Sequence, residues 1–307
     1  MLWVLLALVL AVAGSCAVLA FLMCHRQRLP DFADTQALKA RGWGTRADEV
    51  AAFRDWLSER GPVPVHVDSD DELPLRGVLV PRKGARGTAV LFHGCRSACL
   101  ADFAGPAQVL YDHGWQLILT DQRAHGASGG RWCSFGLWER FDVRAWCNYC
   151  ELRFPGGHPL FLYGQGMGAA AALAAAELDL PGNVRGIIAE GAYTSPREVL
   201  ERVLLRTPLP AGAALRMASA FTNYALGFSL LEPGAEAAAA GAGYPALIIH
   251  GAADSIVPAD MARRLFSAYG AEKHLLMVEG AAHARCRSAA PERFDEALRM
   301  FLDTYET

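Results

Sequence analysis

Pro159-Leu160-Phe161-Leu162-Tyr163-Gly164-Gln165-Gly166-Met167-Gly168-Ala169-Ala170-Ala171-Ala172-Leu173 is the stretch from which the fold can be read. The run up to Tyr163 is apolar without alternation, as suits a short strand covered on both faces. The alanine-rich run after Gly168 opens a helix. Glycines at 164, 166 and 168 leave no length for a loop, so the chain must turn sharply from strand into helix. In that context G-x-S-x-G holds a nucleophilic serine at the tip of a strained turn. Here the tip residue is Gly166, so the turn is present without the hydroxyl.

Outward from this turn, strand and helix patterns alternate. Apolar runs at Thr88–Phe92, Gln116–Thr120, Pro159–Tyr163, Arg185–Ala189, Ala246–His250 and His274–Val278 are expected as strands. Helical patterns fall at Leu100–His113, Leu137–Leu152, Met167–Leu178, Ala259–Ala268 and Pro291–Tyr305. The alternation predicts an α/β domain on a mostly parallel, doubly wound sheet. Val63–Val67 and Leu75–Val80, joined by the acidic turn Asp68 to Glu72, are expected as two antiparallel edge strands. The long interruption at 195–244 shows helical spacing at Val199, Val203 and Leu204, then at Leu215, Ala218, Phe221 and Thr222. It predicts a helical cap inserted over the carboxyl edge of the sheet. Residues 235–243, rich in alanine and glycine, are expected as weak helix or a flexible link.

The 307 residues divide into an apolar segment 1–24, a juxtamembrane helical segment 25–61 and an α/β domain 62–307. Residues 1–23 carry no charged side chain. As a helix rising about 1.5 Å per residue, they can cross roughly 30 Å of hydrocarbon. A secretory signal would have a basic amino-terminal region and a shorter apolar core, so a retained transmembrane anchor is expected. Arg26 and Arg28 at its carboxyl end put the domain on the cytoplasmic side. Net charge is −3 and the arginines are scattered, which argues against a nucleic-acid partner. No Cys/His spacing suits a metal, and a domain of this size needs no covalent staples. The 8 cysteines are expected as reduced, mostly buried thiols. Cys95–Cys99 and Cys147–Cys150 are the pairs close in sequence.

Several motifs stand just beyond expected strand ends. They are His93-Gly94-Cys95, the turn at Gly164 to Gly168, Ala192-Tyr193-Thr194-Ser195, His250-Gly251-x-x-Asp254-x-x-Val257-Pro258 and Gly280-Ala281-x-His283. Gly126-Ala127-Ser128-Gly129-Gly130 also matches G-x-S-x-G, but no strand leads straight into it and no helix follows. It belongs to the loop Asp121-x-Arg123-x-His125-Gly126, so Ser128 is not read as a nucleophile.

From about Pro62 to Tyr305, the order and spacing of these motifs resemble the α/β-hydrolase superfamily. They are most similar to bacterial membrane-anchored members described as serine-type esterases, lipases or peptidases. The resemblance implies an α/β-hydrolase fold with a helical cap and no cofactor. It assigns Asp254 and His283 as the acid and base; Glu190, at the end of its strand, is an alternative acid with a weaker motif. It assigns the backbone N–H groups of Cys95 and Met167 as the oxyanion hole. Gly166 occupies the nucleophile position.

Loss of the nucleophile costs a serine hydrolase about 10⁶ in turnover. The expectation is therefore a membrane-anchored protein of serine-hydrolase ancestry, catalytically impaired, that keeps a pocket for an acyl-ester or peptide-like ligand. The alternative is an active hydrolase of ester or amide bonds that uses a relocated thiol, Cys95 or less plausibly Cys286, or a water activated by His283.

Overall fold

The computed structural model describes residues 2–307. Its sheet comprises β1 (Val63–Asp68), β2 (Pro74–Val80), β3 (Thr88–Phe92), β4 (Gln116–Asp121), β5 (Leu160–Gln165), β6 (Val184–Glu190), β7 (Ala246–Gly251) and β8 (Lys273–Val278). These eight strands lie in the order β1-β2-β4-β3-β5-β6-β7-β8. β1 pairs with β2 and β2 with β4 antiparallel. The remaining pairs are parallel. The expectation of two edge strands needs correction, since β2 is interior. Its burial shows why: Leu75 and Val80 are fully buried, whereas β1 carries no fully buried side chain.

The amino-terminal helices are α1 (Leu2–Cys24), α2 (Thr35–Ala40) and α3 (Thr45–Ser58). α4 (Cys99–Asp102) and α5 (Pro106–Asp112) follow β3, where the sequence predicts one helix over 100–113. Gly105-Pro106 breaks that helix, because proline cannot donate the hydrogen bond needed to continue a turn. α6 (Glu139–Arg153) and α7 (Met167–Ala175) flank β5. Between β6 and β7 lie α8 (Pro196–Leu204), α9 (Ala211–Leu226) and α10 (Ala235–Ala239). α11 (Ala259–Ala268), α12 (Cys286–Ala289) and α13 (Pro291–Tyr305) complete the chain.

The unbroken apolar strands feed two cores, because successive side chains point to opposite faces. Val90, Phe92, Leu160 and Leu162 pack with α6, α7, α10 and α11 on one face. Ala89, Leu91, Phe161 and Tyr163 pack with α3, α5 and α13 on the other. β3 is the switch point, with β4 on one side and β5 on the other. Ligands of open α/β sheets bind at the carboxyl ends of strands flanking such a point. The loop after β3 and the turn after β5 meet there.

α1 is long and apolar enough to cross a membrane. Its last turns are not free: Ala20, Met23 and Cys24 are buried in the first core beside Ala214, Leu215 and Ala218 of α9.

Candidate active site

The turn after β5 is shaped by close approach. A Cβ on Gly168 would stand 1.9 Å from the Phe92 carbonyl oxygen, and one on Gly164 would stand 2.3 Å from the Gly168 carbonyl carbon. Only glycine lets α7 pack this tightly on β3 and β5. Gly166 itself has φ 55° and ψ −111°, a backbone that side chains rarely adopt. Its N–H is held by the Glu190 carbonyl at 2.9 Å. The space above it is not blocked, because the nearest atom to an added Cβ would be His283 Nε2 at 3.4 Å.

His283 follows β8, and its Nδ1 donates to Asp254 Oδ2 at 2.6 Å. Asp254 follows β7 and is buried. Its other oxygen, Oδ1, accepts the N–H groups of Ile256 and Val257, both at 2.8 Å. Burial alone would push the carboxyl up, but the His283 bond and these backbone donors outweigh it, leaving its pKa below the usual value. Glu190, the other candidate acid, is turned away. It accepts from Tyr163 Oη and Gln165 Nε2, both at 3.0 Å, and from the Cys286 N–H at 3.2 Å. Those bonds also account for Cys286, which is buried with its thiol pushed up by burial.

The backbone N–H groups of Cys95 and Met167 have no acceptor among the described residues. Met167 stands at the amino terminus of α7, where N–H groups are left unpaired and the helix dipole favours negative charge. The loop carrying Cys95 is braced on several sides. His93 Nδ1 donates to the Gly94 carbonyl at 2.7 Å, and its Nε2 accepts the Gln122 N–H at 3.1 Å. Burial and the neighbouring His125 hold His93 down to about 4, in keeping with a neutral ring. Asp102 accepts the Gly94 N–H at 2.8 Å and the Ser97 hydroxyl at 2.6 Å, and pairs with Arg46 at 3.5 Å.

Cys95 has neighbours the sequence did not suggest. Its thiol faces Cys133 and His125, and hydrogen bonding from Cys133 holds it below the ordinary thiol range despite burial. Cys99 points elsewhere, bonding to the carbonyls of Leu91 and Thr120 at 3.5 and 3.1 Å. Cys147 and Cys150 are buried and unpaired. Ser128 is a structural bracket: its Oγ accepts the Arg76 N–H at 2.8 Å and donates to the Asp121 carbonyl at 2.5 Å. Arg123 from the same loop is buried between Asp142, at 2.6 Å, and Asp71, at 3.0 Å, tying the β1–β2 turn to α6.

Above Gly166 opens a cavity of roughly 580 Å³. Cys95, Gly166, Met167 and His283 lie on its floor, and Val199, Leu200 and Leu204 of α8 line the cap side. α8 is held by Glu198, whose carboxylate pairs with Arg264 of α11 at 2.7 Å; Arg264 also reaches Glu236 of α10. Leu19, Leu22 and Met23 of α1 line the cavity too. No periodicity could have disclosed that contact, since it depends on how α1 docks.

A family model described as serine aminopeptidase, S33, matches residues 83–230. The uncharacterized protein YqkD of Bacillus subtilis (strain 168) is 24% identical over 230 residues, 75% of each chain. An esterase of Pyrococcus furiosus superposes with a TM-score of 0.67 at 19% identity, covering 82% of this chain and 94% of that one. An α/β hydrolase of Penicillium sp. sh18 gives 0.64 at 19%, covering 80% and 99%. An esterase domain from a Rhodothermus marinus protein gives 0.56 at 20%, covering 80% and 100%. With the parallel sheet and its switch-point crevice, these matches show that the chain has an α/β-hydrolase fold.

Proposed function

We propose that this is a membrane-anchored α/β-hydrolase-fold protein that binds an acyl-type ligand and turns it over poorly or not at all. The observation that carries the reading is the Asp254–His283 pair, bonded at 2.6 Å, facing a turn residue with no side chain. In a serine hydrolase the base takes a proton from the nucleophile, and the paired carboxylate holds its tautomer. Here His283 Nε2 faces the space over Gly166. Without an Oγ no acyl-enzyme forms at that position, so the retained pair and the two free N–H groups favour binding a carbonyl oxygen over cleaving its bond.

The lining supports an acyl group over a peptide. Asp102, a carboxylate in the wall, is committed to Gly94, Ser97 and Arg46. Among the described residues it offers no spare charge for the α-ammonium of a peptide, while the cap side is aliphatic. Single-pass anchoring through α1, with the domain on the cytoplasmic side, belongs to the same proposal.

The test pairs the protein with Gly166→Ser, using a fluorophosphonate label and a panel of short-chain acyl esters. The reading expects label and turnover only in the variant. Labelling or fast turnover by the unaltered protein would overturn it. One specific observation favours a second reading: the Cys95 thiol lies at the cavity floor, with hydrogen bonding from Cys133 holding it below the ordinary thiol range. As a relocated nucleophile, it would give turnover in the unaltered protein that Cys95→Ala abolishes.

A further inference from the structure

α1 has 23 residues, about 34 Å at 1.5 Å per residue. The described side chains from Trp3 to Ser15 are exposed, and burial begins at Cys16. That free part spans only about 20 Å, whereas a hydrocarbon core is roughly 30 Å thick. If α1 crosses, its remaining turns must make up the difference, and those turns are packed against α9. In that case the cap sits within the leaflet's depth.

The rim of the cavity agrees with that placement. Leu22 is 58% exposed, Val203 45% and Leu209 43%, yet all three line the cavity. Leu205, between the last two, is 67% exposed. An apolar rim of this kind is costly in water and marks a surface with a cover. α1, which forms part of the rim, is continuous with the bilayer-crossing segment, so lipid is the cover the geometry supplies. Arg96 fixes the α1 part of the wall by donating to the carbonyls of Leu22 and Met23 at 2.6 and 3.3 Å.

We propose that the cavity opens sideways into the membrane between α1 and the α8–α9 connection, and that its ligand is the acyl chain of a bilayer lipid arriving laterally. This rests on the acyl-pocket reading above and adds the route and the source of the chain. The lipid's ester carbonyl would come to lie near the N–H groups of Cys95 and Met167, with the tail extending along Leu200 and Leu204. Binding involves no bond formation and needs no co-reactant.

The experiment uses the full chain in phosphatidylcholine vesicles that carry a trace of phosphatidylcholine with a tail diazirine, irradiated and mapped by peptide mass spectrometry. A parallel sample receives a water-soluble diazirine octanoate instead. The proposal expects the vesicle lipid to label Met23, Leu200, Leu204 or Met167 inside the cavity, as well as Leu205 and Leu209 at its rim. Cavity labelling by octanoate, with vesicle lipid confined to residues 3–15, would overturn lateral arrival and leave the acyl-pocket reading standing. Absence of cavity labelling by both probes, with residues 3–15 labelled as a control, would overturn both.

Discussion

The Nε2 of His283 stands 3.4 Å from the point a Cβ would occupy on Gly166. An Oγ reaching from that Cβ would come within hydrogen-bonding distance of the ring, about 2.7–3.2 Å. Gly166→Ser is therefore expected to complete a serine, histidine and aspartate relay. Ester turnover should rise by on the order of 10³ or more, inside the roughly 10⁶ that a nucleophile contributes. The same substitution places a Cβ at φ 55°, at a stability cost of about 1–3 kcal/mol. Steady-state kinetics and a thermal melt on one preparation read both effects, and a variant that gains neither label nor turnover would mean the relay is misaligned.

Asp254 should reveal itself in acid. Its native pKa lies below the ordinary carboxylate value of about 3.9. A depressed carboxylate contributes stability that is present in full above the unfolded value and is lost as pH falls through the native one. The stability gap between the protein and Asp254→Asn should therefore be widest near neutrality and narrow as the solution is taken below the ordinary carboxylate value of about 3.9. Denaturant titrations across that range test it. Asp254→Ala, which strands the two backbone donors and His283, should cost about 3 kcal/mol near neutrality.

The thiols should divide sharply by reactivity. Cys95 is partly accessible and held below the ordinary thiol range by Cys133 and His125, whereas burial pushes Cys99, Cys147, Cys150 and Cys286 up. Since the thiolate is the reactive form, iodoacetamide at slightly acid pH should modify Cys95 first and leave those four untouched. Cys133→Ala removes the leading cause of the lowered pKa and should slow modification of Cys95. Equal rates in the two proteins would count against the pairing.

Orientation is open to direct digestion. With Arg26 and Arg28 at the carboxyl end of α1, a protease added to intact cells or spheroplasts should leave the domain whole. Rapid cleavage from outside would reverse the assignment.

Much of the fold is legible from residues 159–173 because its cause is local. Close packing of strand on helix demands glycine at 164 and 168 whatever the rest of the chain does. The motifs after β3, β7 and β8 are legible for a related reason: strand ends of a parallel sheet gather at one edge. Three features are not legible. The interior place of β2 depends on its second partner, β4, some forty residues downstream by the register Arg76 to Asp121. Cys95 beside Cys133 is a meeting of two loops with no shared pattern. Part of the cavity wall is α1, whose composition reads as membrane alone, and nothing in an apolar run tells which of its side chains will face protein.

The docking of α1 bears on how such a protein can be handled. Its carboxyl-terminal turns contribute Ala20, Met23 and Cys24 to the main core, and the Cys24 carbonyl accepts the Cys133 N–H at 2.8 Å. A shortened form starting after residue 24, the usual recourse for solubility, would remove more than a tether. It would leave Ala214, Leu215 and Ala218 facing solvent, release Arg96 from the helix end it secures, and breach the chamber above Gly166. Assays on that fragment would describe a damaged vessel, and inactivity there would say nothing about the intact protein.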